Sequence, residues 1–377
     1  MNENTRYDGL IARYRTRLPI DTETKIISLC EGDTPLIRLD NIMKSIGRDI
    51  ELYAKFDGTN PTGSFKDRGM TMAVTEALKE GAEAIICAST GNTSASAAAY
   101  ASRAGIKAFV LIPEGKIALG KLAQAMIQGA VVIQIEGNFD DGMEIVKSLE
   151  SAAPVTIVNS INPYRLQGQK TAAFEIIDAL GRAPDFHCVP VGNAGNISAY
   201  WAGFCEYASI PKSDWARAGA EFDFAYSLPP VVASRPKILG YQASLADPFV
   251  RREMVKEPET IATAIRIGRP QSWDYAWGAS EESGGWFDSM SDEEILKTQK
   301  MLAGKEGIFC EPASAISVGG VMRDIVNGKI PDGSVITCTL TGHGLKDPDT
   351  AINQCAGETI KVPAKLDAVK RAILDNM

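Results

Sequence analysis

Residues 84–112 read AIICASTGNTSASAAAYASRAGIKAFVLI, and this stretch decides the fold. It opens on an isoleucine-containing apolar run, a strand signal over 84–88. Small polar and glycine residues follow from Ser89 to Ser94, leading into an alanine-rich helical pattern over 93–104. A second apolar run over 108–112 reads as another strand. Two nearly continuous apolar strands joined by one helix form a βαβ unit, whose strands run parallel.

The same alternation extends outward. Further strands are predicted over 131–136, 155–159, 186–191 and 335–340, with helices over 119–128, 140–149 and 166–180. The class is therefore α/β, built on open twisted parallel sheets. Neither a repeat nor a low-complexity tract appears. From 213 to 285 the pattern breaks into aromatic, proline and glycine-rich sequence, predicted to be loops over one face, with Trp273 to Trp286 as surface packing. Ser291 and Glu294 make a capping box for a helix reaching 303. Leu366, Val369 and Ile373 share a helical face, which predicts a terminal helix docked on the core.

At 377 residues the chain has room for two domains. Its composition, 45% apolar and 23% charged, is that of a globular protein. The net charge of −8 and the lack of basic runs argue against nucleic acid as a partner. Seven scattered cysteines, an odd number with no CxxC pair, indicate neither a disulfide framework nor zinc. With His187 and His343 as the two histidines, no metal is expected. Met1 to Arg6 are polar, and no stretch is long and apolar enough for a membrane. A reduced cytoplasmic setting is the expectation, in which the sequons at Asn92 and Asn196 carry no weight.

Ligands of open α/β sheets sit where strands hand over to helices, because helix N-termini offer unpaired N–H groups and a positive dipole end. Four junctions stand out. Gly192-Asn193-Ala194-Gly195-Asn196 lets backbone amides close on an anion, or is an ordinary tight turn. Ser89-Thr90-Gly91-Asn92-Thr93-Ser94 holds more small polar residues than a helix cap needs. Asn60-Pro61-Thr62-Gly63-Ser64-Phe65-Lys66-Asp67-Arg68-Gly69 places a lysine in the first turn of a helix, where the dipole disfavours a cation. A neutral amine or imine fits that position better. The last, Thr341-Gly342-His343-Gly344-Leu345-Lys346-Asp347, ends in aspartate and so fails as a dinucleotide fingerprint. A run with P-loop spacing, Gly115 to Lys121, fails too, since Leu122 stands where a Mg²⁺-holding hydroxyl is required.

The Ser64-Phe65-Lys66-Asp67 run resembles the Schiff-base lysine motif of the fold type II pyridoxal-phosphate enzymes, and Thr90 to Ser94 resembles their asparagine loop. Within that group, which shares the tryptophan synthase β-like fold, the chain is most similar to the short-form threonine synthase family. The resemblance rests on EGDTPL at 31–36, EGNFDD at 136–141, NSINPYRLQGQK at 159–170, GNAGN at 192–196 and TGHGLKDPD at 341–349. It spans about residues 28 to 350. One departure is Asp57, where related sequences often carry Glu.

This resemblance implies a lyase whose cofactor is pyridoxal 5′-phosphate, turning O-phospho-L-homoserine and water into L-threonine and phosphate. Lys66 would carry the cofactor as a Schiff base and shuttle protons. Phe65 would pack beside the ring, Asn92 bond its 3′-oxygen and Thr341 face its nitrogen. Gly192, Asn193, Ala194, Gly195 and Asn196 would cradle its phosphate. Ser89, Thr90 and Thr93 would meet the substrate carboxylate. Asn159, Ser160 and Arg165 would meet its phosphate, with help from Thr93, Asn196 and Lys55. A large domain (1–65 and 159–377) and a small mobile one (66–158) would enclose the site, in a homodimer. Another fold type II lyase, a threonine or serine dehydratase or a phosphoserine β-replacement enzyme, is the alternative. A non-catalytic amino-acid sensor on the same fold is opposed by the presence of both Lys66 and Asn92.

Overall fold

The computed structural model describes residues 6–114, 119–136, 139–150, 154–160, 162–209, 228–355 and 359–376. Its strands are β1 (Leu36–Arg38), β2 (Glu51–Phe56), β3 (Ala84–Ala88), β4 (Lys107–Pro113), β5 (Val131–Ile135), β6 (Val155–Ile157), β7 (Phe186–Pro190), β8 (Lys237–Ala243), β9 (Trp286–Met290) and β10 (Val335–Leu340). They form two sheets, one ordered β1-β2-β10-β7-β8-β9 and the other β5-β4-β3-β6. The smaller sheet is parallel throughout. In the larger, only β1 departs, pairing antiparallel with β2 at the edge. The expectation of purely parallel sheets is corrected at that edge alone.

Each sheet is covered on both faces by helices, which is why its strands are apolar on both sides. One large core, containing Leu52, Ile316, Val321 and Ile336, lies on one face of the six-stranded sheet. Another, with Phe174, Trp201 and Phe204, lies on the opposite face. The four-stranded sheet has its own cores around Val74, Tyr100 and Val110, and around Ile86, Leu111 and Val146.

Two helices cross closely where the sheets meet. Lys66–Lys79 packs on Pro163–Leu180, and the contact is made by Gly69 and Gly168. A Cβ at Gly168 would lie 1.8 Å from the Arg68 carbonyl oxygen, so no other residue fits there. This approach sets Arg165 beside the first turn that carries Lys66.

Two expectations are overturned. The region 213–285 is not all loop: β8 is a buried interior strand, and Trp273–Ser283 is a helix. The strand was hidden because Gly240 and Gln242 interrupt its apolar run. Phe287 needs the glycine, since a Cβ would sit 2.5 Å from its ring. Gln242 is satisfied internally, accepting from the Phe249 amide at 2.9 Å and donating to the Val191 carbonyl at 3.4 Å. Trp273 does not pack on the outside; it stacks on Phe249 at 4.4 Å between ring centroids, against the core. Residues 210–227 lie outside the described residues.

The terminal helix is also corrected. It forms, at Leu366–Leu374, but Leu366 is 82% exposed and Ile373 55%, so it does not dock on the core. Helical spacing made the helix legible, but spacing says nothing about whether a partner surface exists.

Candidate active site

All four junctions singled out in the sequence follow the C-terminal ends of strands that run parallel to a neighbour, β2, β3, β7 and β10. The loop after β10 is bonded to the lysine loop: Phe65 N–H donates to the Thr341 carbonyl at 2.9 Å, and His343 N–H to that of Gly63 at 2.9 Å. Gly63 has φ of 88°, a left-handed turn that glycine adopts without strain. It turns the chain into the helix that begins at Lys66.

Lys66 is half-buried in the first turn of its helix. Desolvation dominates, Arg165 adds repulsion, and together they bring its amine down to a pKa of about 7, against the pull of Glu311. Among the described residues its Nζ has no carboxylate at ion-pair distance and lies 3.8 Å from the centre of the Phe65 ring. An uncommitted, easily deprotonated amine on a rigid helix is what imine chemistry and proton transfer require.

The neighbours of Lys66 are pinned. Asp67 accepts from Thr62 N–H at 2.7 Å, from Thr62 Oγ1 at 2.6 Å and from Ser96 Oγ at 2.6 Å. Burial still raises its pKa to about 6. Arg68 is clamped by Asp57 and Glu175, at 2.8 and 2.7 Å. Asp57, the one departure from the family pattern, fills its place in that ion network.

The asparagine loop follows β3. Ser89, Thr90, Asn92 and Thr93 are all partly exposed to the cleft, and Gly91 has open space beside it. Asn92 Nδ2 donates to the Glu311 carboxylate at 3.1 Å. After β7, Ala194 adopts φ of 66°, and Gly195 opens the Gly195–Tyr207 helix. That helix presents first-turn amides with no partner within the helix. Asn193 braces the loop, accepting from Gln271 N–H at 2.8 Å on its side chain and donating to Ser160 Oγ. Thr341 Oγ1 lies 2.9 Å from Ser314 Oγ.

Arg165 is 3% exposed, which rules out a merely superficial arginine. It donates to the Val158 carbonyl at 3.2 Å, its Nε has no partner, and burial lowers its pKa to about 10. Asn196 Nδ2 is likewise buried and unpartnered. Buried donors of this kind call for an acceptor, which a bound anion would supply. A Cβ at Gly195 would meet nothing nearer than 3.8 Å, so the helix N-terminus has room for one. The unpartnered donors and open helix N-terminus fit a phosphate group, and the Lys66 amine fits an aldehyde.

Not every expected residue is free for ligand. Asn159 spends its amide on the Ala88 backbone, accepting at 3.0 Å and donating at 3.1 Å. Lys55 is paired with Glu175 at 2.7 Å in the Arg68 network. Sequence reading missed Glu311 and Ser314, which border the site from the Pro312–Val326 helix. The available signal was a carboxylate directly before a helix-starting proline, too common to single out.

A family model described as pyridoxal-phosphate dependent enzyme matches residues 27–342. The chain is 53% identical to the threonine synthase of Synechocystis over 362 residues, covering 96% of this chain and 89% of that one. It is 54% identical to the threonine synthase of Mycobacterium tuberculosis over 347 residues, covering 92% and 91%. The chain belongs to the pyridoxal-phosphate dependent enzymes, in the threonine synthase family. Among solved structures, maize serine racemase superposes with a TM-score of 0.65 over 91% of this chain and 92% of that one, at 18% identity, a likeness of fold alone. The chain is thus a lyase of fold type II, and pyridoxal 5′-phosphate is its cofactor.

Proposed function

We propose that this enzyme converts O-phospho-L-homoserine and water into L-threonine and orthophosphate by γ-elimination followed by β-addition. The observation that carries the substrate is Arg165: a buried guanidinium with an unpartnered Nε beside Lys66, in addition to the helix N-terminus at 195. One anion site suits the cofactor's phosphate and leaves the other for the substrate's. Arginine binds phosphate through two parallel N–H donors. A dehydratase, acting on free hydroxy-amino acids, has no use for the second site.

When bound, the cofactor supplies an electron sink for carbanions at Cα and Cβ. Lys66 Nζ, which burial and Arg165 bring to a pKa of about 7, takes the proton from Cα in its unprotonated form, gives it up, and then takes one from Cβ. After phosphate leaves Cγ, it returns protons to Cγ and Cα as water adds at Cβ. Phe65 shields one side of that amine. Ser89, Thr90 and Thr93 orient the substrate carboxylate near the N-terminus of the Asn92–Ala104 helix. Ser160, held by Asn193, and Arg165 orient the leaving phosphate, while Asn159 braces this end of β3. Asn92 and Thr341 would hold the cofactor's ring, and residues 192–196 its phosphate.

Closure of a small domain, 66–158, on the rest would exclude water until elimination is complete. A homodimer in the cytoplasm is the assembly and setting we assign.

The test is the reaction of the cofactor-loaded protein with O-phospho-L-homoserine. Threonine and phosphate should appear in equal amounts. Free threonine should turn over at least about a hundredfold more slowly, as expected when a buried polar pocket is left unfilled. Equal turnover of free threonine would overturn the substrate assignment.

A further inference from the structure

Glu311 is buried at the start of the Pro312–Val326 helix, 5% exposed, and its carboxylate faces the site. It accepts from Asn92 Nδ2 at 3.1 and 3.4 Å through its two oxygens, and from Thr341 Oγ1 at 3.5 Å. Gly342 has no side chain because Glu311 occupies that space: a Cβ there would lie 2.5 Å from the carboxyl. Lys66 and Lys346 are close enough to favour its charge, against burial, which raises its pKa.

A carboxylate in this position has a definite consequence for Asn92. It only accepts, so it turns the amide nitrogen toward itself and fixes the amide plane. One N–H is then used and the second is left to donate into the cleft. The Thr341 hydroxyl, 2.9 Å from Ser314 Oγ, also reaches one oxygen of the same carboxylate at 3.5 Å. These residues belong to different sheets: Asn92 follows β3, and Thr341 follows β10.

We infer that Glu311 is the positioning residue that aims Asn92 and Thr341 at the cofactor ring, joining the two sheets across the site. This rests on the ring-facing roles proposed above for those two residues. Glu311 itself touches neither substrate carbon and moves no proton. Its negative charge also stabilises a protonated nitrogen at Lys66, so its removal should favour the unprotonated form of the lysine-bound cofactor.

The experiment uses the holoenzyme of wild type, Glu311→Gln, Asn92→Ala and the double variant. Cofactor dissociation constants and the pH titration of the visible absorbance band are measured for each. Glu311→Gln keeps the shape and some hydrogen bonding. It should weaken cofactor binding about tenfold, as loss of a charge-assisted contact does. The pH at which the band titrates should fall.

Asn92→Ala should also weaken binding. In that background Glu311→Gln should cost clearly less than tenfold, because part of what it holds is gone. Additive losses would overturn the inference, and so would a Glu311→Gln enzyme with unchanged affinity and titration. If Asn92→Ala alone changes neither quantity, the assignment of Asn92 to the ring falls, and the role of Glu311 with it.

Discussion

Lys66 is a half-buried amine whose folded pKa, lowered to about 7 by desolvation and Arg165, lies below its unfolded value. The unfolded chain therefore binds more protons between about pH 7 and 10, and stability of the cofactor-free protein rises with pH across that window. Lys66→Met removes that charge. It should stabilise the cofactor-free protein by on the order of 3 kcal/mol at pH 6 and progressively less toward pH 10. Urea unfolding at several pH values checks this. Arg165 was read from the sequence as a phosphate ligand, and its burial with an unpartnered Nε agrees with that chemistry. Arg165→Lys replaces a planar fork by a point charge and should lower kcat/KM for O-phospho-L-homoserine about a hundredfold. Steady-state kinetics, with orthophosphate as a competing inhibitor, measures it.

Elements show where sequence reading succeeds and fails. β3 and β10 were legible to the residue, because a strand buried on both faces must be continuously apolar. β2 and β8 were not, because each carries a buried polar side chain with a partner distant in sequence: Lys55 pairs with Glu175, and Gln242 donates to the Val191 carbonyl. The lysine and glycine loops stood out in the sequence by local turn chemistry. Glu311 was not, since its meaning depends on Asn92, 219 positions away. The crossing of Lys66–Lys79 on Pro163–Leu180 depends on Gly168. Gly168→Ala should cost about 3 kcal/mol or more through backbone displacement, seen as a lowered denaturant midpoint. The terminal helix makes the opposite case. Removing residues 363–377 should change unfolding free energy by less than about 1 kcal/mol, since its apolar residues are exposed.

At the scale of the whole molecule, the site depends on a buried ion network that reaches across the fold. Arg68 and Lys55 meet Glu175, and Arg68 also meets Asp57. Burial works against the Glu175 charge, but Arg68 and Lys55 outweigh it and hold the carboxyl well below the usual range. Its contribution is present above the unfolded carboxyl pKa and is lost as pH falls through the lower folded value. Glu175→Gln should destabilise the protein by about 3–5 kcal/mol at pH 7, because two buried cations lose a partner. The gap from wild type should narrow below about pH 4. Thermal unfolding from pH 3 to 8 tests that trend.

The network, the crossing helices and the four strand ends all serve to place one amine. Borohydride reduction of the cofactor-loaded protein, followed by peptide mass mapping, tests that claim most directly. The expected result is a single modified peptide with the reduced cofactor on Lys66. Modification of a different lysine, with Lys66 untouched, would contradict it.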